Sequence, residues 1–264
     1  AATDIDGLSD SKSAGTDFTG SLLLGHQNTG TLDAATYNTG VGLTALDHLS
    51  TGDYNTAVGY SALTGNTSGF FNSAMGSNAL GTNSTGHNNT ASGYAALRTN
   101  STGTYNSAMG TNALYSNATA HYNTAMGYGA LNDANRTADT DGYNTALGYN
   151  AGNTGTNDIT TGNLNTLLGS ATAASAAAGT NQSVIGYGAS GQANNSVTLG
   201  NADVTTVYMS QDAGATIHAA GVTSASNANI TIDPNGSGTL ALGSADNTAV
   251  TADALVITAT SVNA

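Results

Sequence analysis

Cysteine, tryptophan and glutamate are absent from this 264-residue chain, proline occurs once, and the bases number three: Lys12, Arg98 and Arg136. Without cysteine there are no disulfides, thiolate metal sites or thiol nucleophiles, and the redox compartment stays open. All sixteen acidic residues are aspartate, and the formal charge is −13. Nucleic acids are held by clustered Lys and Arg and anionic lipids by polybasic patches, so this balance argues against both as partners. No apolar run approaches the roughly 18 residues of a membrane helix. The opening "AATDIDGLSD" has neither the basic nor the apolar region of a signal peptide and reads like the interior of a longer protein. Lys and Glu usually coat exposed helices, so their scarcity argues against helix. Gly, Ala, Asn, Ser and Thr supply most of the rest, a mixture that favours turns and short strands.

The chain is written in one recurring phrase. "YNTAVGYSAL" (54–63) returns as "YNTGVGLTAL" (37–46), "FNSAMGSNAL" (71–80), "NNTASGYAAL" (88–97), "YNSAMGTNAL" (105–114), "YNTAMGYGAL" (122–131) and, with more change, as "YNTALGYNAG" (143–152), "LNTLLGSATA" (164–173) and "NQSVIGYGAS" (181–190). The glycine of the phrase steps by 17 residues five times from Gly42 to Gly127, then by 21, 21 and 17 to Gly186. Gly25 lies 17 residues upstream and Gly200 14 downstream, which makes eleven units. The first insertion falls in the polar run "NDANRTADTDG" (132–142), where stacked coils tolerate extra residues. Each unit holds an internal Gly and an Asn-Thr or Asn-Ser pair, poor helix formers, and the pattern predicts strand, turn, strand, loop.

Stacking the copies in register places each residue on its own kind, about 4.8 Å apart. An amide ladder results: Asn38, Asn55, Asn72, Asn89, Asn106, Asn123, Asn144, Asn165 and Gln182. Stacked amides hydrogen-bond along the stack, which accounts for the repetition without any chemistry. A hydroxyl ladder from Thr39 to Ser183 runs beside it. Three apolar ladders are expected to form a thin core: Val41, Val58, Met75, Met109, Met126, Leu147, Leu168 and Ile185; Leu46 to Leu131; and Tyr37, Tyr54, Phe71, Tyr105, Tyr122 and Tyr143. So slender a coil is short of buried area, and the small positions Ala57 with Gly59 and Ala108 with Gly110 are expected to admit other chains of an oligomer, most simply threefold.

"SVIGYGASGQANNSVTLGNADVTTV" (183–207) closely resembles the head repeats and neck of trimeric autotransporter adhesins of the YadA-like type, which are written around "NSVAIG" at a spacing of about 14. Asn195, Ser196, Val197, Leu199 and Gly200 match that motif at that spacing from Gly186. The 17-residue units are similar to a longer variant in bacterial surface and bacteriophage tail-fibre proteins. They have one residue fewer between Asn and Gly, which leaves their inward and outward faces open. The resemblance covers about residues 20–207. It implies a left-handed parallel β-roll, three chains about one axis, and a role in attachment. After Gly200 the period is lost, and short alternating runs such as "ANITID" and "ALVIT" predict a stalk of short strands. "ITIDPNGSG" (230–238) resembles a phrase in structural proteins of marine phage virions.

Sites of chemistry are declined on geometry. His87 and His121 share a slot two coils apart, about 10 Å, too far to converge on one ion at about 2.1 Å within one chain, although three copies of one His about an axis could converge. The aspartates of "DANRTADTDG" (133–142) lack a closing calcium carboxylate. Asp47 and Asp53 lie in neighbouring loops, but no carboxylate pair recurs as glycoside hydrolysis would need. The mixed Thr and Ser column differs from the paired Thr columns of ice-binding surfaces, and triplets such as "NST" (83–85, 100–102) read as turn residues rather than glycan acceptors.

The expected architecture is all-β: a left-handed parallel β-solenoid of about eleven coils, an intertwined homotrimer, and a short-stranded β stalk. A connector (1–19), a repeat solenoid with neck (20–207) and a stalk region (208–264) make up the chain. The expected role is a structural fibre protein of a phage tail in the virion, forming a rigid shaft or head used in attachment to the host. The alternative is a trimeric adhesin on a bacterial surface. Expected partners are copies of itself, other tail or baseplate proteins and a host-surface receptor, glycans included, with no nucleic acid and no membrane insertion. No enzymatic activity, catalytic residue, metal or cofactor is assigned.

Overall fold

The structure, a computed structural model, describes residues 11–13, 21–24, 35–134, 141–155 and 157–207. The stalk expected over 208–264, most of the connector and the centre of the first insertion lie outside the described residues.

The short apolar-polar alternations form strands: β1 (Ser11–Ser13), β2 (Leu22–Leu24), β3 (Thr39–Val41), β4 (Thr56–Val58), β5 (Ser73–Met75), β6 (Thr90–Ser92), β7 (Ser107–Met109), β8 (Thr124–Met126), β9 (Thr145–Leu147), β10 (Thr166–Leu168), β11 (Gln182–Ile185) and β12 (Ser196–Leu199). They make one sheet in sequence order. β1 runs antiparallel to β2 and covers that edge of the sheet, while every later pair is parallel with one coil between strands. The chain is therefore an all-β parallel solenoid. Its eleven parallel strands correspond to the eleven sequence units, and nine turns carry the chain from β3 to β12. Both 21-residue steps keep register, Thr124 beside Thr145 and Thr145 beside Thr166, so the added residues sit wholly in the connectors.

Each coil holds one strand, not two. Where a second strand was expected, two residues adopt left-handed backbone, as at Thr44 (φ 57°) and Leu46 (φ 57°), and bend the chain. The N–H groups there still bond to the adjacent coil, Leu46 to the Ala62 carbonyl at 3.0 Å and His48 to that of Thr64 at 3.0 Å. Strand bonds are thus continued by turn-to-turn bonds. Left-handed backbone costs a non-glycine residue about 1–2 kcal/mol, offset at the Leu slot by burying the side chain, worth about 1.5–3 kcal/mol.

The core departs from expectation in one systematic way. Within each strand from β2 to β10 the middle residue points in and its neighbours are more exposed. Ala57, Ala74, Ala91, Ala108, Ala125 and Ala146 are buried, as are Leu46 to Leu131 and every member of the amide ladder. The Val41-to-Ile185 column and the aromatic column, both expected inside, are outward: Met75 is 60% exposed and Tyr37 53%. The small positions meant to admit other chains are internal. Ala57 and Ala108 fill the coil, and Gly59 and Gly110 lie against the backbone of the next coil's Gly76 and Gly127.

The reason is volume. The interior holds one Leu per rung from the turn and has room for only a methyl group from the strand. Leu23, Leu167 and Val184 are the larger buried strand centres, and the first two show this. Where the turn Leu is replaced by Gly152, the strand centre of the next coil is Leu167, whose Cδ1 would lie 2.9 Å from a Cβ at 152. At the other end buried Leu23 stands at a strand centre, and its neighbour Gly40 has no side chain for the Leu23 methyl to meet. Ala91→Met is therefore expected to cost about 1–3 kcal/mol by overpacking, while Ser92→Met, one residue on, leaves the thermal midpoint of the coil unchanged. Equal effects in thermal unfolding would refute the inward assignment.

The open question in "NSVTLG" is resolved by register. Ser196 pairs with Gln182, so Asn195 sits one column away from the amide ladder, in the aromatic slot. There its Oδ1 accepts from Asn181 Nδ2 at 2.9 Å, and both residues share the left-handed backbone of Tyr37 (φ 53°, 57° and 58°).

Candidate interaction surface

The inward turn of Ala and Asn leaves the larger side chains on the outer face of the sheet. Four columns run along it: the aromatic slot, the hydroxyl slot, the Val/Met/Leu slot, and a slot just past the glycine with Leu43, Tyr60, Tyr94, Tyr128, Tyr149 and Tyr187 exposed. None of the residues in these columns is charged. The rings stack from coil to coil, Tyr37 on Tyr54 at 4.8 Å and Tyr54 on Phe71 at 4.9 Å, then Tyr105 on Tyr122 at 5.1 Å and Tyr122 on Tyr143 at 4.9 Å. Ten strand spacings give the face a length of about 48 Å.

One coil breaks both outer columns. Asn88 stands in the aromatic slot between Phe71 and Tyr105, with the same left-handed backbone (φ 57°). Ser92 stands between Met75 and Met109 and is the one polar residue in its column among the described residues. With Thr90, which continues the exposed hydroxyl column, they form a row that makes β6 the one described rung polar in all three of these columns. Beside it a shallow groove of about 150 Å³ is lined by Thr90, Ser107, Met109, Thr124 and Met126 over Ala108 and Ala125. Flanking the row, Phe70 stacks on His87 at 4.5 Å, and His87 meets Tyr105 edge-on at 5.9 Å.

The residues weighed for chemistry have structural roles. His121 Nδ1 accepts from the Thr104 N–H at 3.0 Å, which leaves the ring proton on Nε2. Asp53 Oδ1 accepts from the N–H and hydroxyl of Thr36 at 2.6 and 2.9 Å. Asp158 caps the backbone N–H groups of Thr154 and Gly155 at 2.5 and 2.7 Å. Burial, and next the charge of Asp158, raise the Asp133 carboxyl above the usual carboxylate range. A hydrogen bond to Asp141, then burial and that carboxylate's charge, hold the Tyr143 proton more tightly than usual. Arg98 Nη1 donates to the Tyr115 hydroxyl at 2.5 Å, with its guanidinium 5.6 Å from that ring's centre. Among the described residues no three His or Asp side chains gather to hold a metal.

A second amide ladder escaped the sequence reading. Asn66, Asn83, Asn100 and Asn117 are buried, each Nδ2 from Asn83 onward donating to the Oδ1 one coil earlier at 2.7–3.2 Å. Its signal is an Asn three residues after each Leu from Leu63 to Leu114. The "NST" triplets belong to this ladder, so their Asn side chains are sealed inside rather than displayed as glycan acceptors.

No family model, curated protein or solved structure matches the chain. What the described solenoid presents is an uncharged face with exposed apolar and hydroxyl columns, and connectors rich in Thr, Ser and Gly.

Proposed function

We propose that the chain is a structural fibre protein of a phage tail, in which three copies pack as a left-handed solenoid bundle about one axis to form a rigid shaft or head. The observation that carries this is the outer face: uncharged, with exposed columns of Tyr and of Val, Met and Leu running its length, it is costly in water and is covered by association. The interface so assigned is the Tyr, Thr and Met face, opposite to the Ala and Gly positions singled out in the sequence. The polar connectors, repeated threefold, would then meet a host-surface receptor, with glycans among the candidates, and weak contacts would add by avidity. Other tail or baseplate proteins would hold the fibre in the virion. The match of "NSVTLG" to the adhesin head motif favours a second reading, a trimeric adhesin on a bacterial surface. An adhesin gene encodes a membrane β-barrel after this segment and a fibre gene does not, so the full-length gene separates the two.

Native mass spectrometry is expected to give three times the 25.8 kDa of one chain, and a mass of one chain would remove the assembly. Met109→Asp places a carboxylate on the assembling face, where an unpaired buried charge costs about 3–5 kcal/mol. It is expected to yield single chains with unchanged circular dichroism, and trimers of undiminished stability would refute the assigned face.

A further inference from the structure

We infer that the polar row Asn88, Thr90 and Ser92 sets the register in which copies of this chain pack, an inference that rests on the assembly proposed above. Columns of Met, Val and Leu repeated every 4.8 Å or so would let one rod slide along another by whole coils with little penalty, because each rung presents nearly the same surface. β6 is the one described rung that interrupts both columns; Asn181 and Asn195, at the far end of the face, interrupt the ring column alone. Asn88 interrupts a column of rings, and Ser92 interrupts a column otherwise made of Val, Met, Leu and Ile.

Amides and hydroxyls both donate and accept, so a symmetry-related copy of the same row can satisfy them across the interface. Slipped by one coil or more, Asn88 and Ser92 face Phe71, Tyr105, Met75 or Met109 of the neighbour, and their groups are buried without partners. A single polar position within an apolar seam fixes register in coiled coils by the same means. β6 also lies near the middle of the face, with β2 to β5 on one side and β7 to β12 on the other. Sliding in either direction therefore breaks the match.

The chain has no cysteine, so single introduced thiols report cleanly on neighbours. Met75 and Met109 are exposed on rungs two strand spacings apart, about 9.6 Å, too far to share a disulfide without a shift of register. Met75→Cys and Met109→Cys are prepared separately, mixed during refolding and oxidised. Links of 75 to 75 and of 109 to 109, with 75-to-109 links near background, are the expected result for copies parallel and in register.

The double substitution Asn88→Tyr with Ser92→Met completes both columns. Tyr already occupies the equivalent left-handed position in other coils, so the coil is expected to fold. In that background the 75-to-109 link is expected to rise to the level of the self-links. Mixed links in the parent, or self-links alone in the double variant, would overturn the register role while leaving the assembly standing. An absence of all links, with the mass of a single chain, would overturn both.

Discussion

Gly110→Ala is expected to destabilise the chain by about 3–5 kcal/mol, enough to prevent folding of a marginal coil. Gly110 has φ +134°, a region open essentially to glycine alone. A Cβ there would lie 2.6 Å from the carbonyl carbon of Gly127 and nearer still to its oxygen. Those atoms are backbone on the next coil and are held in place. The Gly110 N–H donates to the Ser92 carbonyl at 2.7 Å and the Gly127 N–H to that of Met109 at 2.8 Å. Relieving the contact means parting β7 from β8. Gly155→Ala is the control, with φ +81° and nothing within 4 Å of its Cβ. It carries conformational strain only, about 1–2 kcal/mol. Denaturant unfolding of the two variants separates clash from strain, and similar losses would show that the coils do not approach as closely as described.

Asn89→Ala is expected to cost a similar amount, about 3–5 kcal/mol, through groups left unpaired in the interior. Asn89 Nδ2 donates to Asn72 Oδ1 at 3.2 Å and to the Gly103 carbonyl at 2.8 Å, and its Oδ1 accepts from Asn106 N and Nδ2 at 3.0 and 3.2 Å. All four capacities of the amide are used. Truncation leaves the Asn106 backbone N–H and one of its Nδ2 hydrogens facing a void, while the Gly103 carbonyl keeps only its bond from Asn100 Nδ2 at 3.0 Å. The interior is otherwise closed, since Asn112 Oδ1 is the one buried side-chain polar atom without a partner among the described residues. Asn89→Asp keeps the shape and the acceptors but, once ionised, has no donors and brings a buried charge. Its neutral form fits better, so its loss of stability is expected to deepen as pH rises through the carboxyl's ionisation. A loss independent of pH, or an Asn89→Ala variant as stable as the parent, would remove the ladder from the account.

Much of this was legible before any coordinates. The period, the parallel stacking, the tolerance of four extra residues in a connector and the amide ladder from Asn38 to Gln182 follow from repetition alone, because like residues stacked in register must meet. The second ladder, from Asn66 to Asn117, was equally visible as an Asn at a constant offset. It was missed because Asn beside Ser and Thr also fits a solvated turn. The outer face was not legible. Its apolar columns were assigned to the core on hydrophobicity, and the interrupted rung at Asn88 and Ser92 gains meaning only once both positions are known to point outward.

What the sequence determined by itself is therefore the repeat, its pitch and which residues share a column. What only the tertiary structure decided is which columns face in. A strand alternates sides at every residue, and here both alternating sets are compatible with burial, small Ala and paired Asn on one, Thr with Val, Met or Tyr on the other. Spacing does not distinguish them. The choice is made by the volume of a coil already filled by one Leu per rung, as the exchanges at Leu167 with Gly152 and Leu23 with Gly40 show. That limit sends the larger side chains outward, and with them the surface on which the function of the chain is proposed to depend.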